Sequence, residues 1–317
     1  MKKAVLPIVV ILVALAGISA PSFARDEPLV LVENPWTASS LNVNVAKLIL
    51  EEEMGYEVEI ILLDESTQWA AIGAGDAHAS LEVWPSGHQQ NVEQYINELG
   101  VVVDGGLLGP VGKIGWYIPT YLLEDHPDLA TWEGFLDPDN AALFATAETG
   151  DNGQFLAGAP GWTQYDEQII ENLGLNLEVV YAGSEEAILA AVEAAYRREE
   201  PILFYFWTPH SIHAEYDLTE VMLPEYTDVC YEGVAEGNVE DIACDYPADE
   251  LFKIFWAGLE EAYPDVFTFL SNMNYTTDDQ ISMVAAVDLD GLTPEEAAEA
   301  WVEENEDVWR EWLPETD

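Results

Sequence analysis

Positive charge is what this chain has least of. Lysine and arginine number 9 among 317 residues, against 61 aspartates and glutamates, a formal net charge of −52. Nucleic acid and anionic membrane surfaces both demand cationic protein, so this balance excludes them as partners. The acid is spread along the whole chain, which predicts a solvated surface suited to high salt. Cysteine is nearly absent as well, with Cys230 and Cys244 alone. Two cysteines make a poor metal site. In an exported chain an even pair in a polar, glycine-containing loop points to a disulfide, with two free thiols as the alternative. No run beyond the amino terminus is long and apolar enough to span a bilayer. There is also no internal repeat, no low-complexity linker and no Gly-x-Ser-x-Gly nucleophile elbow.

The amino terminus reads as an export signal. Lys2 and Lys3 precede an apolar run, Ala4–Ala16, that is too short to cross a membrane. Ser22-Phe23-Ala24 then fits a small-x-small cleavage site. Residues 1–24 are therefore expected to be removed, and with no cysteine after the run no lipid anchor is expected. The mature chain is expected to be a soluble, monomeric, periplasmic protein.

Short apolar runs alternate with helical patterns, which predicts an α/β fold with parallel strands. Leu29–Val32, Val58–Leu63 and Ala79–Val83 read as strands around a helix in which Leu41, Val45, Leu48 and Ile49 recur. Val101–Val103, Ile114–Ile118, Ala141–Ala147, Leu177–Tyr181 and Ile202–Phe206 read as further strands. A helix is expected from Gln154, after the polar, glycine-rich turn Glu148–Gly153. Another is expected over Asp249–Tyr263, and Thr293-Pro294-Glu295-Glu296 is a capping box that opens a last helix. Two lobes follow: 25–116 with 216–317, and 117–215. The crossings between them are expected near Ile114–Pro119 and His213–Pro224.

Tryptophan is plentiful, at 11 residues. Trp36, Trp84 and Trp207 share one context: each stands at the end of a short apolar strand, beside a proline. In open α/β sheets the carboxyl ends of strands are where ligands bind. The other tryptophans, Trp162 among them, are accounted for by core packing or surface cover. Several aromatic faces together hold a cation that cannot donate hydrogen bonds, such as a quaternary ammonium.

With Glu-Asn-Pro-Trp36-Thr, Trp84-Pro-Ser-Gly-His88 and Phe206-Trp207-Thr-Pro-His210, the chain resembles the glycine betaine-binding proteins of osmoprotectant ABC importers over nearly its whole mature length. The resemblance implies a two-lobed, type II periplasmic-binding-protein fold that closes on its ligand and delivers it to a membrane permease. It implies a box of Trp36, Trp84 and Trp207 around the trimethylammonium group. It also implies that His88, with backbone amides near Gly153 and Gln154, holds a carboxylate, so that glycine betaine or proline betaine is favoured over choline. Three positions depart from the family pattern: His88 follows Trp84 one residue sooner than in many members, Ser211 stands where many members have another tryptophan, and Asp151 brings an acid into the glycine-rich turn. No cofactor is implied. Rival readings are a binding protein for choline, ectoine or a carbohydrate, and a metal-dependent hydrolase using His210 and His213.

Overall fold

A computed structural model describes residues 28–315, so the expected signal segment lies outside the described residues. Nine strands form one mixed sheet: β1 Leu29–Glu33, β2 Val58–Leu62, β3 Ala79–Val83, β4 Val102–Pro119, β5 Gly153–Ala157, β6 Leu177–Tyr181, β7 Phe204–Thr208, β8 Leu218–Glu220 and β9 Ala248–Trp256. Their order is β2-β1-β3-β9-β4-β7-β5-β6, with β8 on the end of β4. β1 pairs in parallel with β2 and β3, and β5 in parallel with β6 and β7. These are the parallel units that the alternating pattern predicts. β4 lies between them, antiparallel to β9 as far as Lys113 and antiparallel to β7 from Lys113 onward. One long strand thus belongs to both lobes.

The first lobe is closed by helices. α1, Thr37–Glu52, buries Leu41, Val45 and Ile49 completely or nearly so, worth roughly 1.5–3 kcal/mol for each large side chain relative to exposure. It packs against the helices Thr277–Asp288 and Pro294–Glu304. The second of these starts at the predicted capping box, Thr293 with Glu296.

Four expectations are corrected. Val101–Val103 and Ile114–Ile118 are the two ends of the single strand β4, which stays paired through two register shifts at its glycine-rich middle. Asp249–Tyr263 is not one helix: β9 occupies its first part, and Leu251–Phe255 is a run buried on both faces. Such a run carries no periodicity that separates strand from helix. Ala141–Ala147 is largely helical, with a short α-turn ending at Ala141 and a 3₁₀ turn over Ala142–Phe144. Gln154 opens no helix, because Gly153–Ala157 is strand β5.

The contacts also change lobe later than His213–Pro224. Val221 N–H donates to the Trp116 carbonyl, and Asn172 donates to the carbonyls of Glu240 and Ile242. Tyr246 Oη donates to Asp166. Residues 218–246 therefore contact elements of the second lobe, while their turn Val234–Glu236 also packs against Pro85–Asn91 of the first, and β9 carries the chain back. The Cys230–Cys244 disulfide is present in this loop, with an S–S distance of 2.12 Å.

Candidate ligand-binding site

Trp36 follows β1 and takes the extended N-cap position of α1. Trp84 follows β3 in the same way, ahead of α3, Pro85–Asn91, with proline at the first helical position. Trp207 stands near the carboxyl end of β7, before a cis Thr208–Pro209 peptide. The structure brings all three to one cleft of about 440 Å³, mouth included. A fourth indole, Trp162, joins them from the loop after β5. Tyr205 and Ile114 add apolar surface, and Glu65, Ser86, Gly87 and Thr163 complete the lining.

The rings stand as walls. Trp162 meets Trp36 edge-on, at 6.2 Å and 88°, and meets Trp207 at 5.3 Å and 81°. Trp207 in turn stacks on Phe206, at 4.3 Å and 9°. Two glycines make room. A Cβ on Gly112 would lie 2.3 Å from the Trp84 ring, and one on Gly158 would lie 2.4 Å from the Trp162 ring.

Behind Trp36 and Trp84 lies Glu82, on the fully buried strand β3. Its Oε1 accepts from Trp36 Nε1 at 2.8 Å and from Trp84 Nε1 at 3.0 Å. Its Oε2 accepts from Asn42 at 2.6 Å and Gln280 at 3.3 Å. Burial pushes this carboxyl up to about 7, against the pull of those donors. The N–H edges of two cleft indoles are thus tied to one oxygen. The sequence signal of Glu82 is a carboxylate inside a short strand of otherwise small or apolar residues.

Glu65, at the start of α2 (Glu65–Ala74), is the charged group on the cleft wall. Burial pushes it up, but His88 and Thr163 outweigh that and hold it below the usual carboxylate range. The Thr163 backbone N–H donates to Glu65 Oε1 across the cleft, and His88 Nε2 lies 3.2 Å from Oε2. His88 itself is buried, with Trp69 and Asn91 at its other nitrogen. It stands behind Glu65 and is not part of the lining.

Gly153 and Gln154 are not brought to the cleft either. In the β5–β7 pair Leu156 is opposite Phe204, so Gly153 sits six residues below the level of Trp207, roughly 20 Å at a strand's rise per residue. Trp162, which sequence reasoning missed, lies on the loop at the other end of that strand. Its signal was the one used elsewhere, an aromatic near proline after a strand. It was hidden because β5 read as a helix.

Other polar groups define what the cleft offers. Ser86 Oγ donates to Asp249 Oδ2 at 2.6 Å, leaving acceptor capacity at Ser86. The buried Trp162 Nε1 has no partner among the described residues. His210 and His213 do not converge: His210 Nε2 is 2.8 Å from Glu185, and His213 Nε2 bonds the Trp207 carbonyl at 2.9 Å. Among the described residues no group of three or more His, Cys, Asp or Glu is arranged to hold a metal ion. Nor is any described helix long and apolar enough to cross a membrane.

Over residues 27–304 the chain matches the substrate-binding domain of ABC-type glycine betaine transport systems. It is 28% identical over 310 residues to the trimethylamine N-oxide-binding protein of Pelagibacter ubique (strain HTCC1062), covering 95% of each chain. In fold it is similar to lactococcal OpuAC in its closed form with glycine betaine, at TM-score 0.70 and 20% identity over 91% of this chain and 100% of that one. It is similar again to an ABC-transporter choline-binding protein in complex with choline, at TM-score 0.69 and 21% identity over 90% and 91%. The chain belongs to the family of substrate-binding domains of ABC-type glycine betaine transport systems.

Proposed function

We propose that this chain captures a small trimethylammonium solute between its lobes and presents it to the permease of an ABC importer, after export on a signal cleaved near Ala24. The carrying observation is the ring of four indoles, Trp36, Trp84, Trp162 and Trp207, around one cleft. Each desolvated face contributes ~0.5–2 kcal/mol toward a cation. Among the described residues no lysine, arginine or histidine lines the wall to compete for those faces. Calorimetry with trimethylamine N-oxide, choline, glycine betaine, proline betaine, ectoine and maltose tests this. Binding of trimethylammonium compounds and not of maltose is expected; the reverse would sink the reading.

Glu65 supports a finer order. The donors expected for a ligand carboxylate, His88, Gly153 and Gln154, do not line the cleft, whereas an ionised carboxylate does. Two like charges 4 Å apart repel by about 4 kcal/mol at an effective dielectric constant near 20. Solutes without a carboxylate, such as choline and trimethylamine N-oxide, are therefore placed ahead of the betaines. The full-length likeness to a trimethylamine N-oxide-binding protein agrees with that order. Glu65→Gln should narrow the gap between choline and glycine betaine by about tenfold, ~1.4 kcal/mol. A native protein that binds glycine betaine tighter than both others would overturn the order and leave the cage standing.

A further inference from the structure

A buried carboxylate that accepts only from neutral donors needs a reason for its charge, and Glu82 is such a group. Four donors converge on it: Trp36 and Trp84 on Oε1, Asn42 and Gln280 on Oε2. An indole N–H can donate and never accept, so Oε1, which takes both rings, carries no proton, and any proton on Glu82 is left to Oε2. On Oε2 the Asn42 amide donates at 2.6 Å, and its own Oδ1 accepts from Tyr275 Oη at 2.5 Å. The acid's surroundings are therefore built for the anion.

Among the described residues no lysine, arginine or histidine pairs with Glu82, whose donors are all neutral. The groups facing Glu82 are Trp36 and Asn42 from the start of α1, Trp84 after β3, Gln280 from the helix Thr277–Asp288, and the Glu185 carboxylate across the lobe boundary. Tyr275 lies near as well, and Asp279 acts on Tyr275 from its other side. Of these neighbours Glu185 is an acid that acts on Glu82, and it is itself 2.8 Å from His210 Nε2, whereas among the described residues Glu82 has no ionic partner of its own. On the far side of the same two indoles lies the cleft.

We propose that Glu82 is the positioning residue of the cage and the counter-charge for the ligand's ammonium group, acting through the rings of Trp36 and Trp84. The proposal rests on the cage reading. By tying both N–H edges to one oxygen, Glu82 fixes how the two rings stand. As an anion it enriches the π-systems that face the ligand and attracts the cation from behind them. Burial and Glu185 oppose the charge, and burial leads them in pushing the carboxyl up to about 7. A bound cation favours the charged form, so capture must draw a proton off whatever fraction of Glu82 still carries one.

The probe is tetramethylammonium chloride, the headgroup alone, titrated into the full mature chain between pH 6 and 8. The dissociation constant should fall about tenfold over that range, as expected for a group titrating near 7 that is held ionised in the complex. Protons should be released on binding at pH 6.5, read from heats in buffers of different ionisation enthalpy. Glu82→Gln should bind at least tenfold more weakly at pH 8 and lose the pH dependence. Gln280→Leu removes one donor and should move the midpoint to higher pH, an effect a purely structural residue would not give. It also keeps the test decisive if Glu82→Gln fails to fold. Asp166→Asn should keep the native profile. A native profile that is flat, with no proton release, overturns the role of Glu82 while the cage reading stands. Failure of tetramethylammonium and choline to bind at any pH overturns the cage reading and this one with it.

Discussion

Each lobe buries one carboxylate against an indole N–H. In the first, Glu82 holds Trp36 and Trp84; in the second, Asp166 holds Trp116 at 2.7 Å and Tyr246 at 3.1 Å. Burial pushes both acids up to about 7. The local chemistry is the same and the outcome differs. Trp116 lies within β4, so its ring ends in the core, fully buried against Phe155 at 4.5 Å. Trp36 and Trp84 lie just past strand ends, so their rings end at a cleft. A buried acid under an indole is therefore not by itself the mark of a site; the position of the ring along its strand decides.

The largest effect should come from truncating one ring of each kind. Trp116→Ala is expected to cost ~3–5 kcal/mol of stability, the range for emptying a large buried aromatic site, while affinity for tetramethylammonium in the folded fraction stays within about threefold. Trp36→Ala should instead weaken binding at least tenfold, or ~1.4 kcal/mol. Denaturant titration beside calorimetry separates the two. Similar losses of affinity in both variants would erase the distinction.

Next comes the disulfide. Its loop closes a sequence separation of 14 on the second lobe, worth about 3 kcal/mol by chain entropy. Cys230→Ser with Cys244→Ser should lower the unfolding midpoint and leave ligand affinity unchanged. A fall in affinity would tie that loop to the cleft.

A smaller effect is expected from pH. Asp166 is raised from an ordinary value near 4 to about 7 in the fold. A group raised on folding stabilises fully below its unfolded value, and that contribution fades as pH climbs through the folded one. The ligand-free protein should therefore lose stability between pH 4 and 8, by on the order of 1–4 kcal/mol from Asp166. Asp166→Asn should flatten that slope, measured by thermal unfolding, without touching the pH dependence of binding. A slope unchanged in the variant would assign it to other groups.

The smallest is steric. Gly112→Ala would put a Cβ 2.3 Å from the Trp84 ring. Displacing that half-buried ring should weaken binding roughly threefold to tenfold, ~0.7–1.4 kcal/mol, with little change in stability. A crystal structure of the variant with Trp84 unmoved would contradict it.

Much of this was legible in the sequence, for a physical reason. Strands such as Ala79–Val83 end abruptly at Trp-Pro, and a proline that cannot join the ladder makes the end visible. Trp36, Trp84 and Trp207 stand out on that account. Trp162 did not, because the run before it starts at Gly153 after a polar turn and carries no alternation to mark a strand. His88 was placed by its motif, but the motif records only spacing. That its ring turns inward to Trp69 and Glu65 depends on the packing of α2, which lies earlier in the chain. Glu82 was on view throughout. What it lacked was any indication that Trp36, 46 residues away in sequence, and Trp84, two residues on, would both turn their N–H groups toward it, which is a property of the assembled fold.

β4 runs unbroken from one lobe into the other, changing partner from β9 to β7 at Lys113. Opening can therefore leave the ladders on both sides intact and turn on the torsion of a few peptides near that residue. Trp36 and Trp84 then withdraw as one jaw, and Trp162 and Trp207 as the other. On the proposed function, a solute held between them would lose both pairs of faces in the same motion and not peel from one ring at a time. On that reading its residence time is set by how often the jaws part, and it should decay as a single exponential whichever trimethylammonium compound is inside.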